Sequence, residues 1–126
     1  MNEIRVLIQS TLDEIEDIEI SAEMPNDLLE ENKTYFTYTI RNSYTNSDFD
    51  NNYSMKPNVI GYVKRIIQKD ENTLEIVDNA SKTIIEALKK INFRANVEDV
   101  SLDGTGIQKQ RITASALYNE INNKLV

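Results

Sequence analysis

Thr34-Tyr35-Phe36-Thr37-Tyr38-Thr39-Ile40-Arg41-Asn42-Ser43-Tyr44-Thr45 is rich in aromatic and β-branched residues and alternates strictly. Phe36, Tyr38 and Ile40 share one parity, while Thr37, Thr39 and Arg41 share the other. Successive side chains of a strand point to opposite faces, so this pattern predicts a strand with one face against a core. Strand character resumes at 58–69, with Val59, Val63 and Ile67 on one parity and Ile60, Tyr62 and Ile66 on the other. Apolar groups on both parities predict a strand covered on both sides, or partly covered by a neighbouring subunit. The polar stretch 46–57 between them reads as a long flexible loop of a hairpin.

Before this hairpin, Ile4, Leu7, Ile8, Leu12 and Ile15 recur at helical spacing, predicting a helix over 2–14. Alternation around Ile18 and Ile20 predicts a short strand, and 21–33, with Pro25, Asn26, Asp27 and Asn32, reads as a connection. After the hairpin, Asn72 stands as an N-cap with Glu75 at N3. Leu74, Val77, Ala80, Ser81, Ile84, Leu88 and Ile91 then line one helix face to about residue 91. Lys89 and Lys90 lie in its last turn, where the helix dipole favours cations. Phe93, Ala95 and Val97 alternate within 93–100, Asp103-Gly104-Thr105-Gly106 marks a turn, and Ile112, Ala114, Ala116 and Tyr118 alternate within 107–118. A short helix is expected over 119–125. The reading is one α+β domain, 1–126. Its sheet is mixed or antiparallel, its two main helices pack on one face, and its order is α-β-β-β-α-β-β with a closing helix.

The 126 residues suffice for one hydrophobic core, and 40% apolar with 28% charged residues is a globular balance. No run approaches the roughly 18 apolar residues of a membrane span. Met1-Asn2-Glu3-Ile4-Arg5 lacks the basic-then-apolar order of a signal peptide, so a cytoplasmic protein is expected. Neither His nor Cys occurs, which removes the commonest general base, the thiolate nucleophile and the usual zinc ligands. Carboxylate-only and Mg²⁺ chemistry stay open, but no catalytic, cofactor or metal site can be named. The expected role is binding partners rather than catalysis.

The net charge of -7 is uneven. Residues 1–33 hold ten acids against Arg5 and Lys33, while 34–126 hold eleven acids and twelve bases. No basic nucleic-acid face is visible in this distribution, and the acidic third reads as a solvated face or a surface for a basic partner.

Three motifs invite chemistry and fail its requirements. Asp103-Gly104-Thr105-Gly106 has Gly104 where an aspartic protease needs Asp directly before Thr-Gly, and it lacks the lysine of a phosphate loop, so it reads as a hairpin turn. Asp48, Asp50, Asn51 and Asn52 lack the glycine and terminal glutamate of a calcium loop. Tyr44, Phe49, Tyr53 and Met55, in or beside the polar loop, are the residue types that interface cores prefer, and they are the partner-contact candidates.

The order of elements resembles the tail terminator family of long-tailed bacteriophages, the minor tail or head–tail joining proteins. An N-terminal helix precedes the aromatic strand Tyr35-Phe36-Thr37-Tyr38-Thr39-Ile40, and a polar loop leads into Val59-Ile60-Gly61-Tyr62-Val63-Lys64-Arg65-Ile66-Ile67. A helix from Leu74 to Ile91 ends in Asn92-Phe93, and a turn leads to Gln110-Arg111-Ile112-Thr113-Ala114-Ser115-Ala116. The likeness spans roughly 2–118 and is one of order and spacing, without a catalytic signature. It implies a homo-hexameric ring that caps the tail-tube protein, stops its polymerisation and meets the head connector protein. DNA would pass through the lumen without specific binding. The protein would reside in the virion, after assembly in the host cytoplasm, with no membrane and no cofactor. An acidic stretch including Glu14, Glu16 and Asp17 facing the lumen would let DNA slide.

Two other classes fit the absence of a catalytic motif. One is a head-completion or connector-adaptor neck protein. The other is a small acidic inhibitor, against which the Lys and Arg residues of 34–126 argue. An enzyme using carboxylates alone would need two acids converging in an apolar pocket.

Overall fold

The computed structural model describes residues 2–22, 28–46, 53–100, 106–119 and 124–125. Helix α1 (Asn2–Asp13) precedes strands β1 (Glu19–Ala22), β2 (Thr34–Asn46) and β3 (Tyr53–Ile66). Helix α2 (Thr73–Lys89), β4 (Arg94–Asp99), β5 (Ile107–Ser115), β6 (Tyr118–Asn119) and β7 (Lys124–Leu125) follow. The expected α+β class and its α-β-β-β-α-β-β order hold. The chain closes differently: backbone pairing of Tyr118 with Leu125 and of Asn119 with Lys124 puts two short strands where a helix was expected.

The sheet runs β1-β2-β3-β5-β4, with β1 parallel to β2 and the remaining neighbours antiparallel. It is therefore mixed. Helix α2 carries the chain from β3 to the edge strand β4, and β5 returns into the slot between them. The β2–β3 ladder extends from Thr34↔Arg65 to Asn46↔Tyr53, so strand structure claims 46 and 53–57 from the expected loop. A proline cannot donate to a ladder. Pro57 nevertheless sits opposite Asn42, and its carbonyl accepts from the Ala116 amide.

One layer of helices covers one face. Ile4, Ile8 and Leu12 of α1 and Val77, Ala80, Ile84 and Leu88 of α2 form a single core with Phe36, Tyr38, Ile40, Val59, Val63 and Ile112. Five of these aliphatic side chains from the helices are wholly inaccessible, each stabilising the fold by about 1.5–3 kcal/mol. Leu7 and Leu74, expected on the buried stripes, are exposed instead. Each lies one helical step off the face that meets the sheet. Phe36 and Tyr38 stack at 5.6 Å between ring centroids.

Local chemistry sets the ends of α2. Asn72 accepts from the Glu75 amide at 3.2 Å, as an N-cap does, while the Glu75 carboxylate accepts from the Asn72 side-chain amide rather than from its backbone N–H. At the other end Asn92 adopts φ 67°, the left-handed region asparagine tolerates. The turn lets the Phe93 amide reach the Leu88 carbonyl and buries the Phe93 ring. Before the helix, Arg65 grips Glu71 through two nitrogens and donates to Thr34 at 2.9 Å, tying the β3–α2 connection to β2.

Candidate interaction surfaces

Among the described residues, no helix lies on the second face of the sheet. Strand register decides what it displays. Along one row Arg41, Asn58, Ser115 and Arg94 are successive cross-strand partners. Further down, Thr37, Tyr62, Arg111 and Glu98 align, and then Tyr35, Lys64 and Lys109. Ile60 and Thr113 lie between, half-buried. Cations from four strands thus lie around an apolar and hydroxyl centre, with Arg41 and Arg94 exposed, Lys109 and Arg111 half-buried and Lys64 buried. Leu29 packs with Tyr35, Ile66 and Ile107 to close the lower end, where the Tyr35 hydroxyl accepts from the Glu30 amide.

The charges here are strained against one another. Lys64 stands directly opposite Lys109, an arrangement of like charges that disfavours the pairing. Burial, and then the charge of Lys109, lower Lys64 below the usual lysine range, and its ammonium lies 5.8 Å from the Tyr62 ring centroid. Arg111 pairs with Glu98 at 2.5 Å. Among the described residues, Arg41 and Arg94 have no ion pair. A pocket of about 210 Å³ opens at the upper corner, lined by Lys56, Asn92, Arg94, Ser115, Ala116 and Leu117.

This basic face is what the linear charge distribution concealed. Its cations come from four strands and are separated by acids in sequence. Only the alternation of each strand, combined with the pairing order, brings them to one side.

The helical side is the opposite in sign. A groove of about 390 Å³ runs between the end of α1 and α2, rimmed by Glu14, Glu16, Glu86 and Lys90 over Ile15 and Ala87. It shares Glu16 and Thr83 with a second hollow of about 310 Å³ lined by Asp17, Ile18 and Ile76. Asp17 turns the chain here with φ 66°.

Of the sequence-based contact candidates, Tyr44, Tyr53 and Met55 fall at the hairpin's far end. The backbone pairs Tyr44 with Met55 and Asn46 with Tyr53, and Met55 also pairs with Tyr118 of β6. Tyr44 and Met55 are therefore neighbours across the ladder, with Tyr53 one short step further out. Phe49, and the side chains of the other three, lie outside the described residues.

Gln110, buried on β5, links the helical layer to the sheet. Its amide accepts from Ser81 at 2.7 Å and donates to Asp78 and, at 2.9 Å, to Asp99. Among the described residues no group of three or more potential metal-ligating side chains converges, and no helix is long and apolar enough to cross a membrane. No protein-family model matches the chain, and no curated protein is significantly similar to it.

Proposed function

We propose that the protein is a structural subunit of a bacteriophage tail neck, a tail terminator that caps the tail tube as a ring. In this role it stops tube polymerisation and forms the joining interface with the head connector. It binds neither membrane nor cofactor, and DNA passes through the lumen. It is made in the host cytoplasm and ends in the virion. The observation that carries the reading is the order of elements, in which a long hairpin and a crossover helix build a sheet whose described helices all lie on one side. That order spans nearly the whole chain and resembles the terminator family. A sheet face without helices among the described residues and a hairpin that projects past its neighbours support a part whose business is contact with other subunits.

The test is a tube-growth assay. Purified tail-tube protein polymerises with and without this protein, and tube lengths are measured by electron microscopy. Short tubes with a density cap at one end are the expected result. Tubes of unchanged length, with the protein bound instead to portal-side rings, would move the assignment to a connector adaptor.

A further inference from the structure

We infer that the basic sheet face of one copy docks into the acidic groove of a second copy, head to tail. The inference deepens the ring reading and rests on it for the number of copies. The pairwise contact stands on the two surfaces themselves.

The surfaces match in three respects. Charge is the first: Arg41 and Arg94 flank one face, and Glu14, Glu16 and Glu86 rim the other. Apolar content is the second. Ile60 and Tyr62 lie at the centre of the basic face, and Ile15 and Ala87 line the floor of the groove. The third is placement. The groove belongs to the helical layer and the basic face to the other side of the same sheet, so the two point away from each other. A two-fold dimer would then press like charge on like charge. Only a heterologous contact satisfies both surfaces, and such contacts propagate into rings or filaments.

The corner pocket beside Lys56 and Arg94 is of a size to take one carboxylate side chain. A nucleic acid would also offer anions, but a chain of net charge -7 repels it at long range, whereas its own acidic groove supplies the complement. Glu14 and Glu16 are thereby placed at a subunit contact rather than facing a lumen.

The experiment is a charge swap read by sedimentation velocity. One variant carries Arg41→Glu and Arg94→Glu, the other Glu14→Lys and Glu16→Lys, and each is checked for folding by its thermal melt. The wild type assembles at low ionic strength and dissociates as salt screens the contact. Each variant alone associates about tenfold or more weakly, since it sets like charges against each other. An equimolar mixture recovers assembly, because each variant then offers what the other lacks. The neutral pair Arg41→Gln and Arg94→Gln, which is gentler on the fold, weakens assembly by less and loses part of its salt dependence.

A wild type that stays monomeric at low salt, with and without tube protein, overturns the contact. So do variants that assemble as the wild type does, or folded variants whose mixture stays monomeric. Binding of a single-stranded oligonucleotide by a monomeric wild type, lost with Arg41→Glu and Arg94→Glu, overturns it in favour of phosphate. Assembly that the mixture restores, with tube growth unaffected, removes the terminator reading and keeps the contact. Tube capping that survives both reversals does the opposite.

Discussion

The ring of Phe36 lies against the backbone at Gly61, so closely that a Cβ there would stand 2.6 Å from its Cε1 and 2.7 Å from the carbonyl oxygen of Thr37. Gly61 faces the core between Val59 and Val63, opposite Tyr38 on β2 and Ile112 on β5. Gly61→Ala forces either the ring or the strand to move. The expected loss is about 1–3 kcal/mol, the usual range for overpacking a core. Urea denaturation measures it, and adding Phe36→Leu recovers part of the loss because the clash and the ring share one space.

Gln110→Glu tests the polar link between α2 and the sheet. The substitution adds a third carboxylate beside Asp78 and Asp99 and removes the amide hydrogens they accept. Stability at neutral pH is expected to fall by roughly 2–4 kcal/mol. The loss shrinks as the solution is acidified and the new carboxyl gains a proton, which a pH series of melting curves would show. A loss independent of pH would mean that shape, not charge, matters at this position.

The Arg65–Glu71 pair makes stability depend on acid. Its hydrogen bonds to Arg65, more than the general attraction of that charge, hold the Glu71 carboxyl below the usual glutamate range. A depressed folded-state value means that the unfolded chain binds the proton more readily. The stabilisation is complete above the ordinary glutamate value of 4.5 and is lost as the pH falls through the lower folded value. Glu71→Gln should flatten this part of the acid limb of the stability curve. An unchanged acid limb would show that other carboxylates set it.

Asn72→Ala removes the acceptor for the Glu75 amide at the start of α2. A cost of about 1 kcal/mol is expected, and Asn72→Ser should restore most of it. Hydrogen exchange of the first turn of α2 locates the effect.

Phe49→Ala with Tyr53→Ala probes two of the partner-contact candidates read from the sequence. Aromatic anchors at interfaces are each commonly worth over 1 kcal/mol, so capture of tail-tube protein should weaken about tenfold or more. The melting temperature should stay close to that of the wild type. Equal capture by variant and wild type would remove these residues from the contact.

Much of the fold was legible in the chain. The alternation of Phe36, Tyr38 and Ile40 against Thr37 and Thr39, and the spacing from Val77 to Leu88, set strand and helix, because each depends on residues two to four apart. The Asn72 cap and the reversal at Asn92-Phe93 are local for the same reason. The polar stretch 53–57 reads as loop, yet backbone pairing with 42–46 carries it into the ladder whatever its side chains. Other features needed the tertiary structure. That β5 enters between β3 and β4, rather than following β4 outward, sets Lys64 against Lys109 and aligns Arg41 with Arg94. Such pairings join residues tens of positions apart, and they are settled by competition among all strands for backbone partners and by the packing of α2 over them. The sequence by itself determined which side chains share a strand face. Only the folded sheet decided which faces stand side by side, and so where the charges gather.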